Sequence, residues 1–181
     1  QNTTAVNRYL SSSSFDVNIL DNLVWKPMVS LDLTKSNNVQ FVDPFSNVYG
    51  RNGNNNPNSD KGRGSNRIEN YNNWNFENTV NYSLKFDESE VNLLGGMSMQ
   101  KYNYTKVANS GTGFSVQQTS YDFAAAKNQS IENRENEVKS LSYFGRLTYA
   151  LQNKYILNGV FRQSGASQVA AGNKWGFFPA V

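Results

Sequence analysis

Two runs near the C-terminus alternate strictly in side-chain character around one tight polar turn. Tyr143, Gly145, Leu147, Tyr149 and Leu151 share one parity, and Phe144, Arg146, Thr148 and Ala150 share the other. After the turn at Gln152-Asn153, Tyr155, Leu157, Gly159 and Phe161 alternate with Ile156, Asn158, Val160 and Arg162. A period of two predicts strands whose two faces meet different surroundings. Each run is about ten residues long, which is what a tilted strand needs to cross a bilayer. Length alone leaves a soluble sheet open.

The pattern recurs along the chain. Trp74, Phe76, Val80, Tyr82, Leu84 and Phe86 share a parity in which only Asn78 is polar, and Asn73, Asn75, Glu77, Thr79, Asn81, Ser83 and Lys85 fill the other. Val91, Leu93, Gly95, Met97 and Met99 follow, then shorter alternations at 15–19 and 29–34. Pro27 lacks a ladder donor, so a bulge or an irregular strand start is expected beside it. Short connections are expected near 20–22, 87–89 and 152–153, and long ones near 35–70, 105–140 and 164–174. Strict alternation of short and long connections is the habit of an up-and-down barrel in an outer membrane, with short turns on one side and long loops on the other. The 43–70 segment reads as an Asn/Gly/Ser loop with a turn at Asn52-Gly53. Only one short helical turn is expected in 120–139, at Ala124-Ala125-Ala126, and the rest of that segment is expected to be loop.

Composition narrows the chemistry. The chain has 181 residues, no Cys and no His, which removes disulfides, imidazole switches, His-dependent nucleophiles and the usual zinc sites. Hydrophobic residues are 38% and aromatics 13%, with a mean hydropathy of −0.65, so the apolar side chains must be gathered on strand faces rather than in a wide core. No run of apolar residues is long enough for a membrane helix. The net charge of +3 is mild, and the Lys61, Arg63, Arg67 cluster reads as a solvated loop rather than a nucleic-acid patch. Gly62-Arg63-Gly64 and Gly111-Thr112-Gly113 lack the remaining parts of a phosphate loop. Ser164-Gly165-Ala166-Ser167 has no His to activate a serine. Glu132, Glu135 and Glu137, with Arg134 and Lys139, read as solvated charges in a polar loop. No catalytic residue, metal site or cofactor is expected. The chain starts at Gln1 and stops at Val181 inside a strand pattern, as expected of part of a longer protein.

The stretch Ser-Tyr-Phe-Gly-Arg-Leu at 142–147 is followed by Tyr149, by Lys154-Tyr155-Ile156-Leu157, by Arg162, Gly165 and Ser167, and by Asn173-Lys174-Trp175-Gly176-Phe177-Phe178-Pro179. This order resembles a signature of SusC/RagA-type TonB-dependent outer-membrane transporters of Bacteroidota. The matching positions are Tyr143, Gly145, Arg146, Tyr149, Lys154, Tyr155, Arg162, Gly165, Ser167, Trp175, Gly176 and Pro179. The chain departs from the pattern at Ser164, where the family usually has Asp, and at Ala166 and Gln168-Val169. The resemblance implies an all-β fold: an antiparallel up-and-down transmembrane barrel, of which residues 1–181 form about seven of probably 22 strands, with the plug domain not included. It implies import of oligosaccharides or oligopeptides with a SusD-like lipoprotein, driven by TonB, in an outer membrane. A siderophore receptor of the same barrel class and a soluble all-β carbohydrate-binding module are the alternatives.

Face parity assigns roles within that frame. Arg146 and Arg162 oppose the most apolar face, and an Arg in lipid near midplane costs about 2–4 kcal/mol. Both are therefore expected to face the lumen or plug. Trp175, Phe177 and Phe178 are expected in an interfacial aromatic girdle. Tyr71 and Trp74, placed at the loop end of a strand, are expected either there or stacked on a sugar.

Overall fold

The computed structural model describes residues 2–42, 62–114, 122–152, 154–170 and 172–181. The Asn52-Gly53 turn, Lys61 and Asn153 lie outside the described residues. The rest is almost entirely strand: β1 (Asn2–Ser14), β2 (Val17–Leu20), β3 (Leu23–Val42), β4 (Arg63–Phe86), β5 (Ser89–Thr112), β6 (Asn128–Leu151), β7 (Tyr155–Ala166) and β8 (Trp175–Ala180). One eight-stranded sheet has the order β1-β3-β4-β5-β6-β7-β8, with β2 also pairing β3. Since β1 and β2 both lie along β3, the sheet is seven strands across, the number that the resemblance implies. The β2–β3, β6–β7 and β7–β8 pairs are antiparallel. Among the described residues, no helix is long and apolar enough to cross a membrane.

The break between β1 and β2 falls beside Pro27. The Phe15 amide donates to the Pro27 carbonyl at 3.2 Å. Proline has no N–H to return the bond, so pairing lapses at Phe15 and Asp16, and the register shifts again between Asn18 and Leu20. At the tight turns, Asp87 and Gln152 take positive φ (48° and 54°). The backbone N–H of Gln152 donates to the Glu88 carbonyl at 2.7 Å, and its side-chain amide donates to the Glu88 carboxylate.

Strand extent is where the structure departs most from the sequence pattern. β4, β5 and β6 each have 24 residues, against the ~9–11 that cross a bilayer. Residues 128–139, expected as loop, are the first half of β6. Only Phe123–Ala125 forms the short turn, a 3-10 turn whose Ala124 amide is capped by Asp122 Oδ1 at 3.0 Å. Arg63 and Arg67, also expected in a loop, belong to β4.

The contacts fall into two units. One comprises residues 1–8, 33–71 and 103–136. Its strands are joined by polar pairs: Lys106 to Glu132 at 2.7 Å, Asn103 to Glu135 at 3.3 Å, Asn70 to Thr105 at 3.1 Å, and Asn38 to Thr4 at 2.6 Å. Its apolar packing centres on Phe114, 3% exposed, with Phe41 and Phe123 edge-on at 5.6 and 6.3 Å. The second unit comprises residues 9–32, 72–102 and 137–181. There the alternation is carried through strand by strand. Register places Arg146 opposite Val160, Thr148 opposite Asn158 and Phe144 opposite Arg162 on one face. Leu147 opposite Gly159 and Tyr149 opposite Leu157 lie on the other.

Candidate functional site

The polar face of the second unit is cross-linked by short side chains. Ser83 donates to Asn92 Oδ1 at 2.6 Å, Ser98 to Asn75 Oδ1 at 3.2 Å, and Gln100 to Asn73 Oδ1 at 3.2 Å. Thr148 donates to Asn158 Oδ1 at 2.9 Å. Arg162 anchors the β6–β7 part: Nε donates to Ser164 Oγ at 2.9 Å and Nη2 to the buried Ser142 Oγ at 3.1 Å, and the two hydroxyls are 2.9 Å apart. Ser164, which stands where the resembled family usually has Asp, thus gives the guanidinium a neutral acceptor. Arg146 shares this face across from Val160 and is exposed.

The apolar face carries a band of large side chains. It runs Trp74 to Phe86 on β4, Val91 to Met99 on β5, Leu141 to Leu151 on β6 and Tyr155 to Gly165 on β7. The β5, β6 and β7 stretches match the ~9–11 residues of a bilayer crossing. Leu147, Leu157 and Phe161 in the band, and Phe177 beside it on β8, are 40%, 55%, 49% and 64% exposed, so no layer of the described residues packs over this face. Asn78, the polar intruder, accepts a 3.1 Å hydrogen bond from the Trp25 indole on β3, so its side-chain carbonyl is satisfied on that face.

The signature residues now have physical roles. A Cβ on Gly145 would run into the Phe161 ring, and one on Gly165 would meet Trp175 Cδ2 at 2.9 Å. Each glycine lies directly across from the aromatic that covers it. Ser167 extends the β6–β7 pairing: its N–H donates to the Lys139 carbonyl at 2.8 Å and its hydroxyl oxygen accepts the Lys139 N–H at 2.9 Å. Tyr143 stacks on Trp175 with centroids 6.2 Å apart. Tyr149 approaches Ser89 through its hydroxyl at 3.3 Å. Lys154 lies over the Tyr155 ring at 5.5 Å, and Pro179 is opposite Phe161.

Two aromatic assignments need correction. Trp175 and Phe177 lie on the apolar face, opposite Gly165 and Gln163, whereas Phe178 is opposite Arg162 and therefore on the polar face. Consecutive strand residues cannot share a face, so one girdle cannot hold both phenylalanines. Tyr71 and Trp74 are interior to β4, not at its loop end, because the strand runs on to Arg63. Their separation is odd, so they point to opposite faces. Trp74 joins the apolar band, and Tyr71 packs on Tyr104 with centroids 4.9 Å apart.

Tyr104 donates to Glu69 Oε1 at 2.9 Å. That bond, with lesser help from desolvation and the Glu69 charge, pushes the phenol up to about 12. A folded value raised above the usual one near 10 means that this contribution to stability is full below pH ~10 and fades as pH rises through ~12. In alkaline ultraviolet titration, Tyr104→Phe should remove one phenol titrating near the top of that window. Loss of a phenol near the ordinary value instead would contradict the bond. On the same unit Glu132 is held below the usual carboxylate range by its hydrogen bond to Lys106.

Sequence reasoning missed a cavity of about 380 Å³ on the apolar face, between β4, β5, β6 and the β7–β8 connection. Trp74, Met99, Leu141 and Trp175 form its apolar wall, with Lys101, Lys139 and Lys174 at the rim. The signal was present in the parity itself, where Met99 gives way to Lys101 and Leu141 to Lys139. Among the described residues, no group of His, Cys, Asp and Glu could hold a metal ion.

A wide antiparallel sheet with an exposed apolar band on one face and a cross-linked polar surface on the other belongs to the outer-membrane β-barrel class. No family model matches the sequence. The chain is 27% identical over 188 residues to TonB-dependent receptor P26 of Formosa agariphila, covering 99% of this chain and 18% of that protein. It is 44% identical over 41 residues to TonB-dependent receptor SusC of Bacteroides thetaiotaomicron, covering 23% of this chain and 4% of SusC. The fold matches the RagAB peptide transporter with a TM-score of 0.85 at 18% identity, over 98% of this chain and 19% of that one. The siderophore receptor PiuA of Acinetobacter baumannii matches with a TM-score of 0.56 at 10% identity, over 99% of this chain and 29% of that one. The chain spans less than a fifth of the length of the curated relatives it matches. In sequence and fold it is similar to a stretch of the outer-membrane barrel of TonB-dependent receptors, and within them to the SusC/RagA type that the 142–179 signature implies. The proteins that it resembles are receptors and transporters, not enzymes.

Proposed function

We propose that the protein containing this segment imports an oligosaccharide or oligopeptide across the outer membrane, driven by TonB and assisted by a SusD-like surface lipoprotein. Residues 1–181 supply barrel wall, and the plug is formed elsewhere in the protein. The observation that carries the reading is the agreement over 98% of the chain with the RagAB peptide transporter fold, at a TM-score of 0.85 against 0.56 for a siderophore receptor. In this reading the apolar band faces lipid and the Asn/Ser/Arg face lines the lumen. Arg146, exposed on that face, is positioned to pair with a plug carboxylate. Arg162, already donating to Ser142 and Ser164, keeps the wall rigid beneath it. Tyr71, stacked on Tyr104 on the same parity, offers a ring edge to a sugar or peptide.

The test is purification of the full-length protein from membranes. It should require detergent, migrate faster on a denaturing gel when unheated, and bring a lipoprotein with it. Free solubility in buffer would sink the barrel in favour of a binding module. A detergent-dependent protein without any lipoprotein would favour a receptor of the siderophore kind.

A further inference from the structure

We propose that the cavity on the apolar face is a binding site for the phosphorylated headgroup of an outer-leaflet lipid. This rests on the barrel reading above, in which that face meets the membrane.

Location comes first. Long connections mark the outer side of such a barrel. The cavity lies at that end of the apolar band, beside the 167–174 connection. Below the rim, Trp74, Met99, Leu141 and Trp175 present the hydrocarbon and aromatic surface that an acyl chain packs against. The Tyr143–Trp175 stack belongs to the same surface, with Trp175 49% exposed. Tryptophan and tyrosine at the boundary of an apolar band sit at the headgroup level of a membrane.

Charge then selects the headgroup. Three lysines meet at the rim, and Glu137 is the carboxylate among them, within 2.7 Å of Lys101 Nζ and 2.6 Å of Lys139 Nζ. Three ammonium groups against one carboxylate leave a net charge of +2 at this spot. Among the described residues Lys174 makes no ion pair with a carboxylate, and the other two lysines share Glu137. A phosphate with one or two negative charges complements that excess, and its oxygens can accept from ammonium groups that Glu137 has already drawn together. A zwitterionic headgroup would bring its own cation and gain less.

The lysine positions are built into the sheet. Lys139 is fixed by the two-way backbone and hydroxyl bond to Ser167. The Lys174 carbonyl accepts the Ala166 amide at 3.3 Å, which ties the end of the connection to β7. Gly165 leaves room for Trp175 to lie flat across the strand pair. The signature positions Gly165, Ser167 and Trp175 thereby shape the cavity and set its rim.

The experiment uses the full-length protein in detergent and native mass spectrometry, with phosphatidic acid, phosphatidylcholine and inorganic phosphate as separate probes. Wild type should retain phosphatidic acid in preference to phosphatidylcholine. The triple variant Lys101→Gln, Lys139→Gln, Lys174→Gln should lose that retention by roughly a hundredfold, the scale for three basic side chains at an anionic surface. Lys154→Gln, at the opposite end of β6–β7, should retain the lipid as wild type does. Heat-modifiable migration of each variant confirms a folded barrel. Equal retention of both lipids, or no loss in the folded triple variant, overturns the proposal. Competition by inorganic phosphate at matched concentration would also overturn it, by assigning the site to a free anion. A protein that needs no detergent refutes the barrel reading itself, a result distinct from the absence of lipid on a detergent-extracted barrel.

Discussion

Leu147→Arg should lower the yield of folded, heat-modifiable barrel severalfold, whereas Asn158→Arg should leave it close to wild type. Leu147 lies near the middle of the apolar stretch on β6, across from Gly159 on β7, so β7 offers no side chain to shelter the charge. A guanidinium at the centre of the lipid face costs about 2–4 kcal/mol, enough to deplete the assembled state of a marginally stable wall. Leu157, across from Tyr149, is closer to the short-turn end of its strand. Arginine there should cost less, because the penalty falls towards ~0–1 kcal/mol at the interface and a long side chain can reach water. Asn158 has the other parity, bonded to Thr148 in a surface already rich in amides and hydroxyls. The expected order of damage is Leu147, then Leu157, then Asn158, read from the faster-migrating band on unheated gels and from surface accessibility in cells. Equal levels for all three would mean that neither face meets lipid.

The same parity explains how much of the fold was legible. Alternation is visible only where one face is apolar and the other polar, and that condition holds within the bilayer band. Strands 128–139 and 2–14 have polar or exposed residues on both faces, so the period disappears although the strand does not. What holds residues 128–139 is a cross-strand code: Glu132 with Lys106, Glu135 with Asn103, and Glu137 with Lys101. These carboxylates read as solvated loop charges because each partner is far away in sequence. Phe177-Phe178 misled for the opposite reason, since two similar side chains in succession look like one feature until register separates them. The cavity was hidden because its wall comes from five strands. Its rim was still written in the sequence as the place where the apolar parity turns to lysine on both β5 and β6.

Gly96→Val should destabilise the barrel by about 1–3 kcal/mol, and Gly95→Val should be neutral or stabilise it by about 0.5–1 kcal/mol. The two glycines are neighbours in β5, so any general intolerance of side chains in that strand would affect both. A Cβ at Gly95 meets nothing within 4 Å on the apolar face, where a β-branched residue would add to the band and suit the pleat. A Cβ at Gly96 would fall 2.6 Å from Phe144 Cζ and 2.9 Å from the Asn78 carbonyl oxygen. The phenylalanine ring could turn aside, but the carbonyl belongs to the β4 backbone and can move only if the strand does. Truncating the ring therefore divides the cost: Gly96→Val with Phe144→Leu should recover part of the lost thermal stability and leave the backbone contribution in place. Full recovery would reduce Gly96 to a seat for the aromatic ring. No recovery would place the whole constraint on the close approach of β4 and β5, with the ring only filling the space that approach leaves. Partial recovery is what the two distances require, since one atom is mobile and the other is fixed in the ladder.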